Sequence, residues 1–156
     1  MKDRAARRIG STVLFFVIFT GALSVMQGCR ASAVAGSPFI EINEIPPDHG
    51  LVYIYRPVGE VGGDMANTVT ANDERVFLMH NGGYHPYFAK LGKVEFRATG
   101  GRESAVIDVV PQKVYYISAS VHWNMAASRW WGPLSLDVVS ADIGAKEIKK
   151  CNLENN

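Results

Sequence analysis

The chain has 156 residues and a formal charge of +1, which allows one domain with a substantial hydrophobic core but not two. Four of its 16 basic residues and one of its 15 acidic residues lie in the first eight positions, so the rest carries 12 basic and 14 acidic side chains, a formal charge of −2. A slightly acidic domain lacks the basic surface that nucleic acid requires, and we therefore expect no nucleic-acid partner.

An export signal is predicted at the start of the chain. A basic region with Lys2, Arg4, Arg7 and Arg8 precedes an apolar run over residues 12–26, and this order is the pattern of a secretory signal. The run is shorter than the roughly 20 apolar residues that cross a bilayer comfortably. An uncleaved membrane anchor is therefore a less favoured alternative.

The end of this run, Met26-Gln27-Gly28-Cys29, resembles the lipobox of bacterial lipoproteins. In that motif a cysteine after a small residue is lipidated and becomes the first residue of the mature protein. Several acyl chains on one cysteine give a lasting membrane anchor, because each buried methylene contributes about 0.8 kcal/mol. We therefore expect residues 1–28 to be removed and Cys29 to carry the lipid, with palmitate among the candidate acyl chains.

A second cleavage site competes with the lipobox. Ala31-Ser32-Ala33 has the small-x-small pattern that ordinary signal peptidase cuts, and a cut there would discard Cys29 and release a soluble periplasmic protein. In the lipidated form Arg30 follows Cys29, at the position where aspartate would retain many lipoproteins in the inner membrane. The expected location is therefore the cell envelope, anchored in the outer membrane and facing the periplasm.

Residues 29–49 are predicted to form a tether, because they are rich in Ala, Ser, Gly and Pro. The folded domain is predicted over residues 50–153. Lipidation of Cys29 would leave Cys151, the other of the two cysteines, as a lone thiol, which we expect to be a small buried residue. A disulfide between these two cysteines is the rival use of both.

Alternation of apolar and polar residues predicts β-strands throughout the domain. In the longest one Ile117 and Ala119 share one face, while Ser118 and Ser120 share the other. The predicted strands cover residues 51–55, 68–71, 75–80, 84–90, 93–99, 105–110, 114–123 and 134–138.

The turn Asn81-Gly82-Gly83 is predicted to join two of these strands as a hairpin, with His80 and His85 on either side. A short helix is predicted over residues 141–151, capped by Ser140 or Asp142. The fold class is therefore all-β: an antiparallel β-sandwich of about 7–9 strands with a short C-terminal helix, preceded by the N-terminal signal segment.

Five short motifs lie within residues 50–153 in this order: Tyr53-Ile54-Tyr55-Arg56-Pro57, Gly83-Tyr84, Gly92-Lys93, Lys113-Val114-Tyr115-Tyr116 and Gly144-x-x-Glu147-Ile148. Their order resembles domain-of-unknown-function family 2846, a family of small β-rich domains often found on bacterial lipoproteins. Gln112 departs from the pattern, which has glycine before that lysine. The resemblance implies a compact β-domain with no established activity, so it supplies no catalytic residues.

A hydrolase is the alternative function, using Ser118, Ser120 and His122 on the polar face of the longest strand. Side chains two residues apart on a strand rarely orient as a catalytic pair, and no Gly-x-Ser-x-Gly elbow is present. No set of residues has the spacing of metal ligands, and no metal or cofactor is expected. We therefore expect a protein that is not an enzyme.

The segment Arg129-Trp130-Trp131 is the candidate recognition site. It lies between two predicted strands, and two adjacent tryptophans on extended backbone point to opposite sides. One ring can fill the core while the other is exposed to an envelope protein or a glycan. Burial of both rings in the core is the alternative. Tryptophan and arginine are frequent anchors of interfaces, which favours a binding module.

Overall fold

The computed structural model describes residues 34–59, 62–63, 65–101, 103–121 and 134–154, all within the compact unit Ala31–Asn156. The predicted signal segment and the lipidation site Cys29 lie outside the described residues. His122, Arg129, Trp130 and Trp131 lie outside them as well.

The described part of the chain is mostly β, with nine strands and one short C-terminal helix. The strands are β1 His49–Tyr55, β2 Asn67–Ala71, β3 Glu74–Met79, β4 Gly83–Lys90, β5 Gly92–Ala98, β6 Ala105–Val109, β7 Val114–Val121, β8 Leu134–Val139 and β9 Asn152–Leu153. Helix α1 is Ala141–Glu147, and a 3₁₀ turn, Ile148–Lys150, continues it. Ser140 is the N-cap of α1, without a side-chain capping bond.

These strands form two antiparallel-rich sheets. The five-stranded sheet has the order β8-β7-β1-β4-β9, and the four-stranded sheet has the order β3-β2-β5-β6. Eight strands agree with the predicted ones to within about two residues, apart from the undescribed end of the longest. The ninth, β9, was missed because two residues are too short to show alternation.

The prediction of a purely antiparallel arrangement is wrong at two places, because β1 pairs with β7 in parallel and β4 pairs with β9 in parallel. The chain enters β7 from the four-stranded sheet through a turn beside the start of β1, where Gln112 N–H donates to His49 O over 2.8 Å. Both strands therefore start at the same end of the sheet. Helix α1 lies between β8 and β9 in the chain. After it, β9 begins beside the start of β4, so these two strands also run in parallel.

The predicted hairpin at residues 81–83 is also wrong. Strand β3 is the edge of the four-stranded sheet, whereas β4 belongs to the five-stranded sheet, so the turn crosses between sheets. The two histidines consequently have different surroundings. His80 Nδ1 is 2.9 Å from Glu154 Oε2, and His85 stacks on Phe77 with 4.3 Å between ring centroids.

The two sheets share an inner hydrophobic cluster to which β1–β8 contribute. Val94, Phe96 and Ala98, which alternate along β5, belong to it. The buried members are aliphatic or phenyl side chains and one methionine: Val52, Ile54, Val69, Ala71, Phe77, Met79, Ala89, Val94, Phe96, Ala98, Ala105, Ile107, Val109, Ile117, Ala119, Leu134 and Leu136.

The other face of the five-stranded sheet is buried too, in an outer cluster. Strand β1 is apolar from Leu51 to Tyr55, and all five of these side chains are at most 1% exposed. Its outward residues pack beneath α1, the 3₁₀ turn and residues 34–48. The buried members of this outer cluster are Leu51, Tyr53, Tyr55, Tyr84, Tyr116, Ile148 and Cys151.

Residues 34–48, which we call the strap, cover part of the outer cluster. Phe39 lies between Tyr53 and Tyr84, with 5.3 Å between ring centroids in each edge-to-face pair. The backbone N–H of Ile42 donates to the Tyr53 hydroxyl over 2.8 Å, and that of Ile40 donates to the Tyr84 hydroxyl over 3.3 Å. The described part of the predicted tether is thus packed on the sheet, and the folded domain starts before residue 50.

Candidate functional site

Buried polar side chains gather at one end of the fold, which we call the Arg56 end. Here β1 stops, β4 and β9 start, and the crossing turn at 80–82 joins the sheets. Among the described residues the buried polar or charged ones are Arg56, Asn67, Asn81 and Glu154. The opposite end, with the β2–β3 turn at Asn72 and Asp73, is called the Asn72 end.

Arg56 follows the apolar strand β1 directly and is 3% exposed. Its Nη2 donates to Gly62 O over 2.7 Å, and its Nη1 donates to Met65 O over 3.0 Å. Burial lowers the pKa of this guanidinium, and the negative charge of Glu154 opposes that shift. An arginine stays charged under these conditions, so the buried cation fastens the connection between β1 and β2 to the sheet.

Asn81 is fully buried in the crossing turn. Its side chain makes two bonds with the backbone of Gly59: Gly59 N–H donates to Oδ1 over 2.9 Å, and Nδ2 donates to Gly59 O over 3.2 Å. Its own carbonyl accepts the Val34 N–H over 3.1 Å. One side chain and one carbonyl therefore hold the β1–β2 connection and the start of the strap.

Glu154 places a carboxylate, 2% exposed, next to the crossing turn. Oε1 accepts the backbone N–H of His80 over 2.6 Å, and Oε2 lies 2.9 Å from His80 Nδ1. A Cβ at Gly83 would overlap this carboxylate, so a larger residue at the start of β4 would force the Glu154 side chain to move. Glu154 thereby fixes the C-terminal segment against the turn.

The chemistry of this cluster is that of a scaffold. Asn81 bonds backbone groups, and Arg56 and Glu154 compensate the burial of backbone donors and acceptors. Nearby, Cys151 is 1% exposed, and burial followed by the charge of Glu147 raises the pKa of its thiol to about 12. Because the thiolate is the reactive form of cysteine, the burial and raised pKa of Cys151 favour a packing role for this side chain.

Ser118 of the alternative hydrolase lies beside Tyr55 on the outer face. The Tyr55 hydroxyl donates to Glu147 Oε2 over 2.7 Å. Burial, and then the bond to Glu147, raise the pKa of this phenol well above its usual range. The cross-strand neighbour of Ser118 is therefore a phenol whose pKa is raised. His122 lies outside them, as noted above, and Ser120 is two residues further along the strand.

The candidate recognition residues belong to the segment 122–133, whose attachment points are described. Val121 at the end of β7 pairs with Leu134 at the start of β8. Because β7 runs parallel to β1, this pair lies at the Arg56 end, and the connection leaves and returns there. Arg129, Trp130 and Trp131 themselves are not described, so their roles remain predictions.

Sequence reasoning did not predict that Arg56, Asn81 and Glu154 form one cluster. One signal was present, since a charged side chain directly after five consecutive apolar residues lies at the edge of a buried strand. Glu154 offered no signal, because its partner His80 is 74 residues away in the chain.

Two further properties concern only the described part of the chain. It contains no group of three or more His, Cys, Asp or Glu side chains that could hold a metal ion. Its helical segments are too short and too polar to cross a membrane.

The fold and its buried polar end define a small two-sheet β domain with a covered outer face. No family model matches the chain, and neither a curated protein nor a solved structure shows significant similarity to it.

Proposed function

We propose that this protein is a lipid-anchored lipoprotein of the cell envelope, held at the outer membrane and facing the periplasm, with a β-sandwich domain that binds a partner and does not catalyse a reaction. The observation that carries the proposal is Gly28-Cys29 after a basic start and an apolar run. The buried side chains of Arg56, Asn81 and Glu154 bond to backbone groups and so hold the scaffold together. Their use in the scaffold supports a domain that binds a partner and does not catalyse a reaction.

Similarity to domain-of-unknown-function family 2846 forms part of this proposal. Three of its motifs fall at positions with a definite packing role. Tyr53 and Tyr55 belong to the outer cluster, Gly83 faces Glu154, and a Cβ at Gly144 would overlap the ring of Tyr116. A motif order that coincides with tight packing positions supports a shared β-domain.

The second candidate is a soluble periplasmic protein cut after Ala33. It is favoured by the small-x-small pattern, and the cut would fall just before Val34, whose N–H already bonds Asn81 O. Both alternatives retain the strap. They differ only in the fate of Cys29.

Mass spectrometry of the mature N-terminus distinguishes the two. We expect an acylated Cys29, and we expect Cys29→Ser to move the protein from the membrane fraction to the soluble fraction. Cys151→Ser is the matched control, which should keep both the lipid and the fractionation. A mature chain that starts at Val34, with unchanged fractionation of Cys29→Ser, would overturn the lipoprotein proposal.

We propose further that Arg129, Trp130 and Trp131 form the recognition surface for an envelope protein or a glycan. The tyrosines of the outer cluster are buried beneath the strap and α1, so they offer no exposed platform on which a sugar could stack. An exposed tryptophan beside an arginine is the better candidate, because such residues often dominate binding energy.

Alanine variants of Trp130 and Trp131 test this surface. We expect one variant to lose capture of envelope proteins and glycans with an unchanged thermal midpoint. The other should lose about 3–5 kcal/mol of stability, the cost of truncating a buried aromatic residue. Equal losses of stability in both variants would show that the segment belongs to the core and would contradict the recognition proposal.

A further inference from the structure

We infer that the Arg56 end of the domain faces the lipid surface, and that the Asn72 end points away from it. The inference rests on the proposed lipidation of Cys29 and adds an orientation to it. The occupant of the Arg56 end is thus the membrane itself.

The first step is the place where the strap begins. Val34 N–H donates to Asn81 O over 3.1 Å, and Asn152 Nδ2 donates to Val34 O over 2.8 Å. Further along, Leu153 N–H donates to Ser37 O over 2.8 Å. Asn81 and Asn152 both belong to the Arg56 end, so the described chain enters the domain at that end.

The second step is the direction of the strap. From Val34 it passes Phe39 and Ile42 over the tyrosines and reaches Pro46, whose carbonyl accepts the His49 N–H over 3.0 Å at the opposite end of β1. The strap therefore crosses the sheet from the Arg56 end to the other end. Because the strap is packed on the sheet, its residues do not extend the distance between the lipid anchor and the domain.

The third step is the number of residues between Cys29 and Val34. Val34 is five residues after Cys29, and five extended residues span at most about 18 Å. A free tether up to residue 49 would span about 70 Å on the same basis. Packing of the strap thus shortens the possible reach to about a quarter.

The fourth step compares this reach with the domain. Strand β1 has seven residues and is about 23 Å long, so the Asn72 end lies further from Val34 than the five residues from Cys29 to Val34 can span. Exposed Lys149 and Lys150 lie on the 3₁₀ turn just before Cys151, at the Arg56 end. Exposed cations suit anionic lipid headgroups. Charge does not distinguish the two ends, because Glu103 is exposed near the Arg56 end, and Lys90, Lys93 and Lys113 are exposed near the Asn72 end. The orientation therefore rests on the strap.

Fluorescence quenching in proteoliposomes tests this orientation with the full, lipidated protein. A fluorophore is attached to Lys150→Cys at the Arg56 end or to the matched control Glu74→Cys at the Asn72 end, and the vesicles contain phospholipid with a nitroxide on the headgroup. Native Cys151 should remain unlabelled, because it is buried. We expect several-fold stronger quenching at position 150 than at position 74.

A second protein tests the tether itself. Insertion of a flexible Gly/Ser spacer of 20 residues between Ala31 and Ser32 should reduce the difference between the two labels, because the domain can then turn freely. Equal quenching of both labels in the protein without the spacer would overturn the inferred orientation while leaving lipidation intact. An N-terminus without lipid would instead overturn the proposed function, so the two failures are distinguishable.

Discussion

The inner and outer clusters bury opposite faces of the same five-stranded sheet, yet they are built from different residues. The inner cluster joins two regular sheets, and its fully buried members carry no polar side-chain atoms beyond the methionine sulfur. The outer cluster joins a sheet to an irregular strap and a short helix, and four of its seven buried residues are tyrosines. The buried aromatic residues are therefore phenylalanines in the inner cluster and tyrosines in the outer one.

The physical reason is the hydrogen-bonding requirement of irregular backbone. Strands satisfy their N–H groups by pairing, whereas a strap without regular structure has N–H groups that still need acceptors when buried. Tyr53 and Tyr84 supply those acceptors to Ile42 and Ile40, and Tyr55 donates to Glu147 of α1. Phenylalanine would fill the same space and leave these groups unpaired.

The largest expected effect comes from truncating one aromatic side chain in each cluster and comparing the losses of stability. Phe96→Ala removes a fully buried ring from the inner cluster and should lower the free energy of unfolding by about 3–5 kcal/mol. Phe39→Ala should cost less, because Phe39 is only half-buried and the strap can detach while the sheets stay folded. Urea unfolding measures both variants, and limited proteolysis within residues 34–48 should be faster in Phe39→Ala alone. Equal costs without strap cleavage would break the comparison.

A smaller effect sharpens the role of the tyrosine hydroxyls. Tyr53→Phe keeps the ring but removes the acceptor of the Ile42 N–H, and we expect a loss of about 1 kcal/mol. Tyr87→Phe is the matched control, since Tyr87 packs against the inner cluster with its ring edge-to-face on Phe96. Thermal unfolding of both variants checks this. A loss in Tyr87→Phe as large as in Tyr53→Phe would show that the outer hydroxyl has no special role.

The smallest expected effect concerns pH and the inner side of the sheet. Burial lowers the pKa of His85 from its ordinary value of 6.5, so the folded protein resists protonation that the unfolded chain accepts. His85 therefore contributes stability above pH 6.5 that is lost as the pH falls towards its folded pKa. His85→Phe should retain stacking on Phe77 and lose less stability between pH 7.5 and pH 5.5 than the parent protein.

Urea unfolding at the two pH values measures this difference. His49→Asn is the control, because His49 pairs at the surface with the exposed Asp48. An unchanged acid sensitivity in His85→Phe would assign that sensitivity to other groups.

The sequence by itself determined the positions of eight strands and of the C-terminal helix, because alternation and helical pattern are local properties of the chain. It placed a strand at residues 51–55, and the structure shows that this strand is buried on both faces. The turn before Lys113 includes a residue in the left-handed region. Gln112 adopts a φ of 56° there without being glycine, at a cost of roughly 1–2 kcal/mol.

Only the tertiary structure decided which strands pair in parallel, that the turn at 81–83 crosses between sheets, and that the strap packs instead of hanging free. Each of these depends on partners that are far apart in the chain: Val34 meets Asn152 across 118 positions, and His80 meets Glu154 across 74. Local patterns contain no information about such partners. The composition of a segment rich in Ala, Ser, Gly and Pro therefore predicts a tether, and only the structure shows the tyrosines that bond it to the sheet.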